Sequence, residues 1–303
     1  YYALRSGLLN IADNKIEVLD AYIHEGDINL ASGDIRFKGD VIINGSVDTG
    51  ASLVSSKNIV INGDIRGGFV YCGGNLTVSG HIITGTKGKV YCSGQIEAEF
   101  IENSRVYCKG DIKAQKSILS SSIFARGSVM LIGSKTKLAG SNVYVWDNME
   151  TDDLGFEKGK DTVVTLGSDW IIESRLTNLK IRKDKIEKIL SITKKEHAEI
   201  IRKVKLGPSK RILVQKDQLT IKMDKLKRIT DKLADRIAEN SENIPFNPNA
   251  HIRVKNHLYM TNKFMIHGSE VTPKIAAIEV SVLADSGQQG VYFMPLREFR
   301  KKK

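Results

Sequence analysis

Val70-Tyr71-Cys72-Gly73-Gly74-Asn75-Leu76, Val90-Tyr91-Cys92-Ser93-Gly94-Gln95-Ile96 and Val106-Tyr107-Cys108-Lys109-Gly110-Asp111-Ile112 are three versions of one segment. A fourth, Ile123-Phe124-Ala125-Arg126-Gly127-Ser128-Val129, carries Ala where the others carry Cys. Recurrence of this kind marks a repeat architecture. Around these segments Gly-Asp recurs at Gly26-Asp27, Gly33-Asp34, Gly39-Asp40, Gly63-Asp64 and Gly110-Asp111, each beside a short β-branched run such as Ile59-Val60-Ile61. A strand of three or four residues alternates inward and outward. Gly then bends the chain by tolerating positive φ, and Asp or Asn can bond its own turn. Full coils from Gly45 to Gly63, Gly63 to Gly80, Gly94 to Gly110 and Gly110 to Gly127 take 18, 17, 16 and 17 residues. Two or three strands fit each coil, and stacked coils bury one narrow core. The expectation is a mainly β chain whose residues 26–169 form about eight coils of a parallel β-helix. Its Gly33, Gly39 and Gly45 imitate the left-handed hexapeptide solenoid. Later spacings break that hexad, which favours the right-handed form. A globular β-sandwich would not repeat Val-Tyr-Cys in register.

After Thr162-Val163-Val164-Thr165-Leu166-Gly167 the period changes. Ser168 or Asp169 can cap a helix. Ile172, Leu176, Leu179, Ile186, Leu190, Ile200 and Val204 then recur at heptad spacing, with Lys183, Thr193 and His197 in the same register. Gly207-Pro208 stops this helix. A second begins near Ser209, with Ile212, Leu219, Met223, Leu226, Leu233 and Ile237 on its seam and Lys216 and Thr230 as polar members. Two such helices joined by a short turn form a long antiparallel coiled-coil hairpin. Beyond Pro245 and Pro248 the strand pattern returns at His251–Val254, Lys263–Ile266, Ala277–Val282 and Gly290–Phe293. These strands should extend or cap the β-helix, whose open end would otherwise expose unpaired edges. The expected domains are a β-helix over 1–169, the inserted hairpin over 170–240, and a C-terminal β cap over 241–303 with a basic tail.

The net charge of +11 is unevenly placed. Residues 1–169 carry −3, residues 170–240 carry +10, and residues 241–303 carry +4, partly in the tail Arg297-Glu298-Phe299-Arg300-Lys301-Lys302-Lys303. A solvated coiled-coil face accounts for this more simply than a nucleic-acid footprint. An acidic protein partner or an anionic membrane surface would also suit it. The three cysteines are too few and too regular for a secreted disulfide scaffold, and a reducing cytoplasm is the simpler expectation. No apolar run approaches the roughly 20 residues of a membrane span. The absence of an initiator Met suggests a fragment or a processed chain, and with it a missing upstream domain.

Phe100-Ile101-Glu102-Asn103-Ser104-Arg105-Val106, Gly110-Asp111-Ile112 and Ser117-Ile118-Leu119-Ser120-Ser121-Ser122-Ile123 resemble the core signature of the flagellar assembly protein A family. Gly33-Asp34-Ile35-Arg36-Phe37-Lys38-Gly39-Asp40-Val41 resembles that family's first coil. The order of β-helix, coiled coil and short β segment is similar too. The chain departs from the pattern at Ser121, where the family tends to have His, and at Gly133-Ser134-Lys135-Thr136 and Tyr259-Met260-Thr261. The resemblance implies a cytoplasmic bacterial protein, at the cell pole or inner membrane, acting as a scaffold in flagellar assembly or placement. Its β-helix resembles the polymer-forming helices of bactofilins and of MinC, which implies a homo-oligomer. No catalytic residue, cofactor or metal comes with the resemblance.

Two surfaces are candidate protein-binding sites. Tyr71, Tyr91, Tyr107 and Phe124 should point outward as an aromatic stripe, free for a partner or packed beneath another element. Lys180, Arg182, Lys183, Lys194, Lys195, Lys225, Lys227 and Arg228 make the hairpin a basic arm. Cys72, Cys92 and Cys108 should form a buried ladder, since their spacing matches no CxxC metal pattern. His81 stands at a corner, as in hexapeptide acyltransferases, but the strict hexad coil of those enzymes is missing. An enzyme is therefore the least favoured reading, below a nucleic-acid-associated protein.

Overall fold

The structure, a computed structural model, describes residues 8–12, 15–19, 21–207, 209–242, 244–266, 269–273, 277–284 and 291–295. The basic tail, His267 and Gly290 lie outside the described residues. Two compact units divide the chain: Tyr1–Trp170 with Phe246–Lys303, and Ile171–Pro245.

The first unit is a β-solenoid in which each coil contributes to three ladders of inward side chains. In one coil, Leu76–Ile83 bends between Val78 and His81 and so serves two faces, and Lys89–Cys92 forms the third. On the first face Leu76, Ile96, Ile112, Val129, Met149 and Ile252 stack in register. On the second the ladder is Ile82, Ile101, Ile118, Leu138, Leu154 and Leu258. On the third it is Val70, Val90, Val106, Ile123, Val143, Val164 and Phe264. All are buried, and burying each such side chain contributes about 1.5–3 kcal/mol. Eight parallel strands of the third face stack from Ile35–Phe37 to Thr162–Leu166, and Asn262–Ile266 adds a ninth. Antiparallel pairing then ends the stack. Ala277–Ala284 lies antiparallel on His251–Leu258, with Val280 and Val282 buried, and Val291–Pro295 pairs beyond it. The C-terminal strands thus both extend and cap the solenoid.

The corners correct two details of the turn chemistry. Corner carboxylates and amides serve the next coil, not their own turn. Asp40 Oδ1 accepts the Asn58 N–H (2.9 Å), Asp64 Oδ1 that of His81 (2.8 Å), and Asp111 Oδ1 that of Ser128 (2.8 Å). Asn58 and Asn75 do the same for the amides of Asn75 and Gln95. The strand ladder breaks at a corner, so an amide there lacks a carbonyl, and the side chain below supplies the acceptor. The glycines differ in the same way. Gly26 and Gly33 do hold positive φ, but Gly63, Gly94 and Gly110 do not. At Gly110 a Cβ would sit 2.7 Å from the Gly94 carbonyl oxygen, so glycine is needed there for close approach between coils.

Another corner is held by buried hydroxyls. Ser104 Oγ accepts the Thr84 N–H (2.8 Å) and donates among the carbonyls of Glu102 and Ile82. Ser121 Oγ accepts the Ser104 N–H (3.1 Å), and Ser141 Oγ the Ser121 N–H (3.0 Å). Ser104→Ala should lower the unfolding free energy by about 1–3 kcal/mol, because it strands the buried Thr84 N–H. Denaturant titration of the variant beside an exposed Ser56→Ala control measures this.

The second unit holds most of α1 (Trp170–Leu206) and all of α2 (Lys210–Glu242). Every expected seam position is half-buried or buried, with Leu176, Leu190, Thr193 and Leu233 the deepest. His197 Nε2 lies 3.0 Å from Thr220 Oγ1, so residues about equally far from the turn meet, as antiparallel helices require. Lys183 keeps its seam place at partial exposure by pairing with Glu187 (3.3 Å) one turn on.

Within the first unit the two ends of the insertion are joined. Ser168 pairs with Phe246 across an isolated bridge, and the Asn247 N–H donates to the Gly167 carbonyl (2.9 Å). Asn247 Nδ2 donates to the Trp146 carbonyl and to Asp147 Oδ1. Ser168 and Phe246, which flank the insertion, therefore lie side by side.

Candidate functional site

The third face presents one outward residue per coil at a fixed place. Tyr71, Tyr91, Tyr107, Phe124 and Tyr144 occupy it in five successive coils. Parallel in-register strands about 4.8 Å apart suit flat aromatic stacking. Centroids lie 4.6 Å apart for Tyr91–Tyr107, 4.7 Å for Tyr107–Phe124 and 5.0 Å for Phe124–Tyr144, with rings within 14° of parallel. Trp170 lies tilted against Tyr107 and Phe124, at 5.4 and 5.8 Å. The stripe is thus partly covered in its middle and open at the end of Phe69 and Tyr71, which are 37% and 42% exposed. Phe69 tilts against Tyr91 at 5.9 Å and widens that end. All four expected stripe residues come together. Phe69, Tyr144 and Trp170 join them without having been expected.

The basic residues do not form one patch. Lys180, Arg182, Lys194, Lys195, Lys225, Lys227 and Arg228 are exposed, whereas Lys183 lies in the seam. Their heptad positions spread them around the hairpin. Asp184, Glu187, Asp224 and Asp231 interleave with Lys180, Lys194 and Lys227 on one flank.

Residues 20–284 match the profile of the Flagellar Assembly Protein A beta solenoid domain. The chain belongs to the flagellar assembly protein A family. No curated protein and no solved structure matches it. The family match includes the coils that carry the stripe, the whole hairpin, and the returning strands through Ala284. Ser121, one of the three departures from the family pattern, is a member of the buried serine ladder. His81 stacks on Phe100 with centroids 4.4 Å apart, on the outside of the coil.

Cys72, Cys92 and Cys108 stack in register and are at most 4% exposed. Their thiols donate to corner carbonyls: Cys72 to Lys57 and Asn75, Cys92 to Gly74 and Gln95, Cys108 to Gly94 and Asp111. Contact with Cys92, then burial, pushes the Cys72 thiol well up. Contact with Cys108, and after it burial, pushes Cys92 up to about 12. The folded chain therefore holds these protons where the unfolded chain releases them. The resulting stability is present in full below an ordinary thiol pKa near 9.0 and is lost as pH rises towards 12. A thiol reagent at pH 8 should label none of the three until denaturant is added. Between pH 9 and 12 the denaturation midpoint should fall more steeply than in a chain with Ala at all three positions. Rapid labelling of the folded chain would contradict the buried ladder.

Proposed function

We propose that this chain is a non-enzymatic cytoplasmic scaffold in flagellar assembly or placement. The coils supply a rigid surface, a partner protein docks on the aromatic stripe, and the hairpin acts as an arm for self-association or an acidic partner. Membership of the family supports the flagellar setting. The observation that carries the scaffold reading is the open end of the stripe at Phe69 and Tyr71. Aromatic side chains there offer a partner large contact area, and the stacked Tyr91, Tyr107 and Phe124 beside them have little entropy left to lose. The Trp170 ring, laid against the row within this chain, supports the reading. Among the described residues no helix is long and apolar enough to cross a membrane. Nucleic-acid binding by the arm is the weaker reading, because carboxylates interleave with lysines on one flank.

The test is a Tyr71→Ser, Tyr91→Ser chain expressed in place of the native one. Flagellar number or position should be disturbed while circular dichroism and the melting profile stay close to native. Normal flagellation by a stable double variant would remove the stripe from the proposal.

A further inference from the structure

The two flanks of the hairpin are chemically different. In heptad terms, with the seam at a and d, the g and c positions of both helices share one flank and e and b share the other. The structure fixes the register on the first flank through an interhelical groove of about 420 Å³ near the turn. Its sides are Glu196, Glu199, Gln215, Gln218 and Lys222, and its floor is Ile200 and Leu219. Carried about two turns down both helices, that register sets Ile189 opposite Ile229, with Ile192 beside them. These three are 46%, 41% and 57% exposed. Arg182, Lys185, Lys225, Lys232 and Arg236 flank them, and no carboxylate occupies a g or c position from 182 to 192 or from 225 to 236; Glu196 and Glu199 follow on the turn side. The same register sets Arg182 opposite Arg236, two like charges with no acid between them on that flank. The other flank has its lysines interleaved with Asp184, Glu187, Asp224 and Asp231, and no such isoleucine group at its e and b positions.

An apolar centre bordered by basic side chains on its sides and far end, and reaching Glu196 and Glu199 only where it meets the groove near the turn, suits a third helix that carries its acids away from that groove. A second copy offering the same basic flank would be repelled. We propose that this flank docks an acidic amphipathic helix of a partner protein. The partner's apolar stripe seats on Ile189, Ile192 and Ile229, and its flanking Asp and Glu meet the five basic side chains. This deepens the scaffold reading by giving the arm a partner chemistry. The stripe experiment leaves this flank untouched, so the two can fail separately.

The test uses the full chain and a fluorescent synthetic helix of about four turns. The peptide has Leu at i, i+3, i+4 and i+7 and Glu at the flanking positions, and a twin has Lys in place of Glu. Anisotropy should show the Glu peptide bound at least about tenfold tighter than the Lys peptide, weakening as salt rises. An Ile189→Ser, Ile229→Ser chain should lose about tenfold in affinity for it. An Ala198→Ser, Ala238→Ser chain, changed at exposed b positions of the other flank, should lose little. Equal affinity for the two peptides, or indifference to the isoleucine variant, would overturn the proposal. So would vesicles containing phosphatidylglycerol that bind more tightly than the Glu peptide and depend on the same residues; that result would assign the flank to a lipid surface.

Discussion

Gly110→Val should destabilise the solenoid by about 3 kcal/mol or more, while Lys109→Val beside it should change stability by no more than about 0.5 kcal/mol. The contrast follows from the corner. Gly110 backs onto Gly94 so closely that even a single methyl would lie 2.7 Å from a backbone oxygen, and a carbonyl of the sheet cannot swing away as a side-chain tip can. The Gly110 amide also donates to that carbonyl at 3.1 Å, so separating the coils to admit a side chain breaks the corner's own hydrogen bond. Lys109 points outward and meets no such limit. Urea unfolding followed by circular dichroism measures both variants. A Gly110→Val chain of native stability would mean that the coils pack far less tightly at this corner than the geometry requires.

Ile112→Ala should cost about 2–5 kcal/mol, near the upper end of what one truncation can do. Ile112 is fully buried and stacks between Ile96 and Val129, so the cavity would open in mid-stack with ordered coils on both sides. In a solenoid each coil is stabilised mainly by its neighbours, and a middle coil has two to lose. Ile35, half-buried in the first strand of the third face, has a single strand neighbour among the described residues. Ile35→Ala should therefore cost clearly less in the same titration. Equal losses at the two positions would argue against this nearest-neighbour account of stability.

The heptapeptide repeat made the solenoid legible because strand alternation and corner residues recur in step. Val inward, Tyr outward and Cys inward follow from the two-residue period alone. The hairpin was legible for the same reason, since an unbroken alternation of three- and four-residue steps from Ile172 to Val204 permits one buried seam. What escaped lies where the repeat decays. Val143-Tyr144-Val145 keeps the strand but is followed by Trp146-Asp147-Asn148 in place of a glycine corner, so no repeat in the sequence links Tyr144 to the stripe. Trp170 stands at a helix start, and no periodicity shows which surface such a residue will cover. The serine ladder follows no strand alternation either; its members sit one per coil at a bend, and only the stacking of coils reveals that each caps the amide of the coil before it. The chemistry of the corner Asp and Asn residues was misassigned for a related reason: a local sequence shows the turn a side chain belongs to, not the coil stacked above it. On the hairpin, total charge was legible but its sidedness was not, because sidedness depends on the register between two helices.

We propose that the coils fold as a self-sufficient unit from which the hairpin is separable. The most direct measurement is the thermal unfolding of a chain in which Ile171–Pro245 is replaced by four Gly and Ser residues. Ser168 and Phe246 are already paired, and a linker of this length spans up to about 13 Å, enough to rejoin Trp170 to Phe246. A soluble, strand-rich protein with a cooperative transition within a few degrees of the intact chain is expected. A deletion chain that loses its strand signal or unfolds without cooperativity would show that the solenoid depends on the arm, and would contradict the claim.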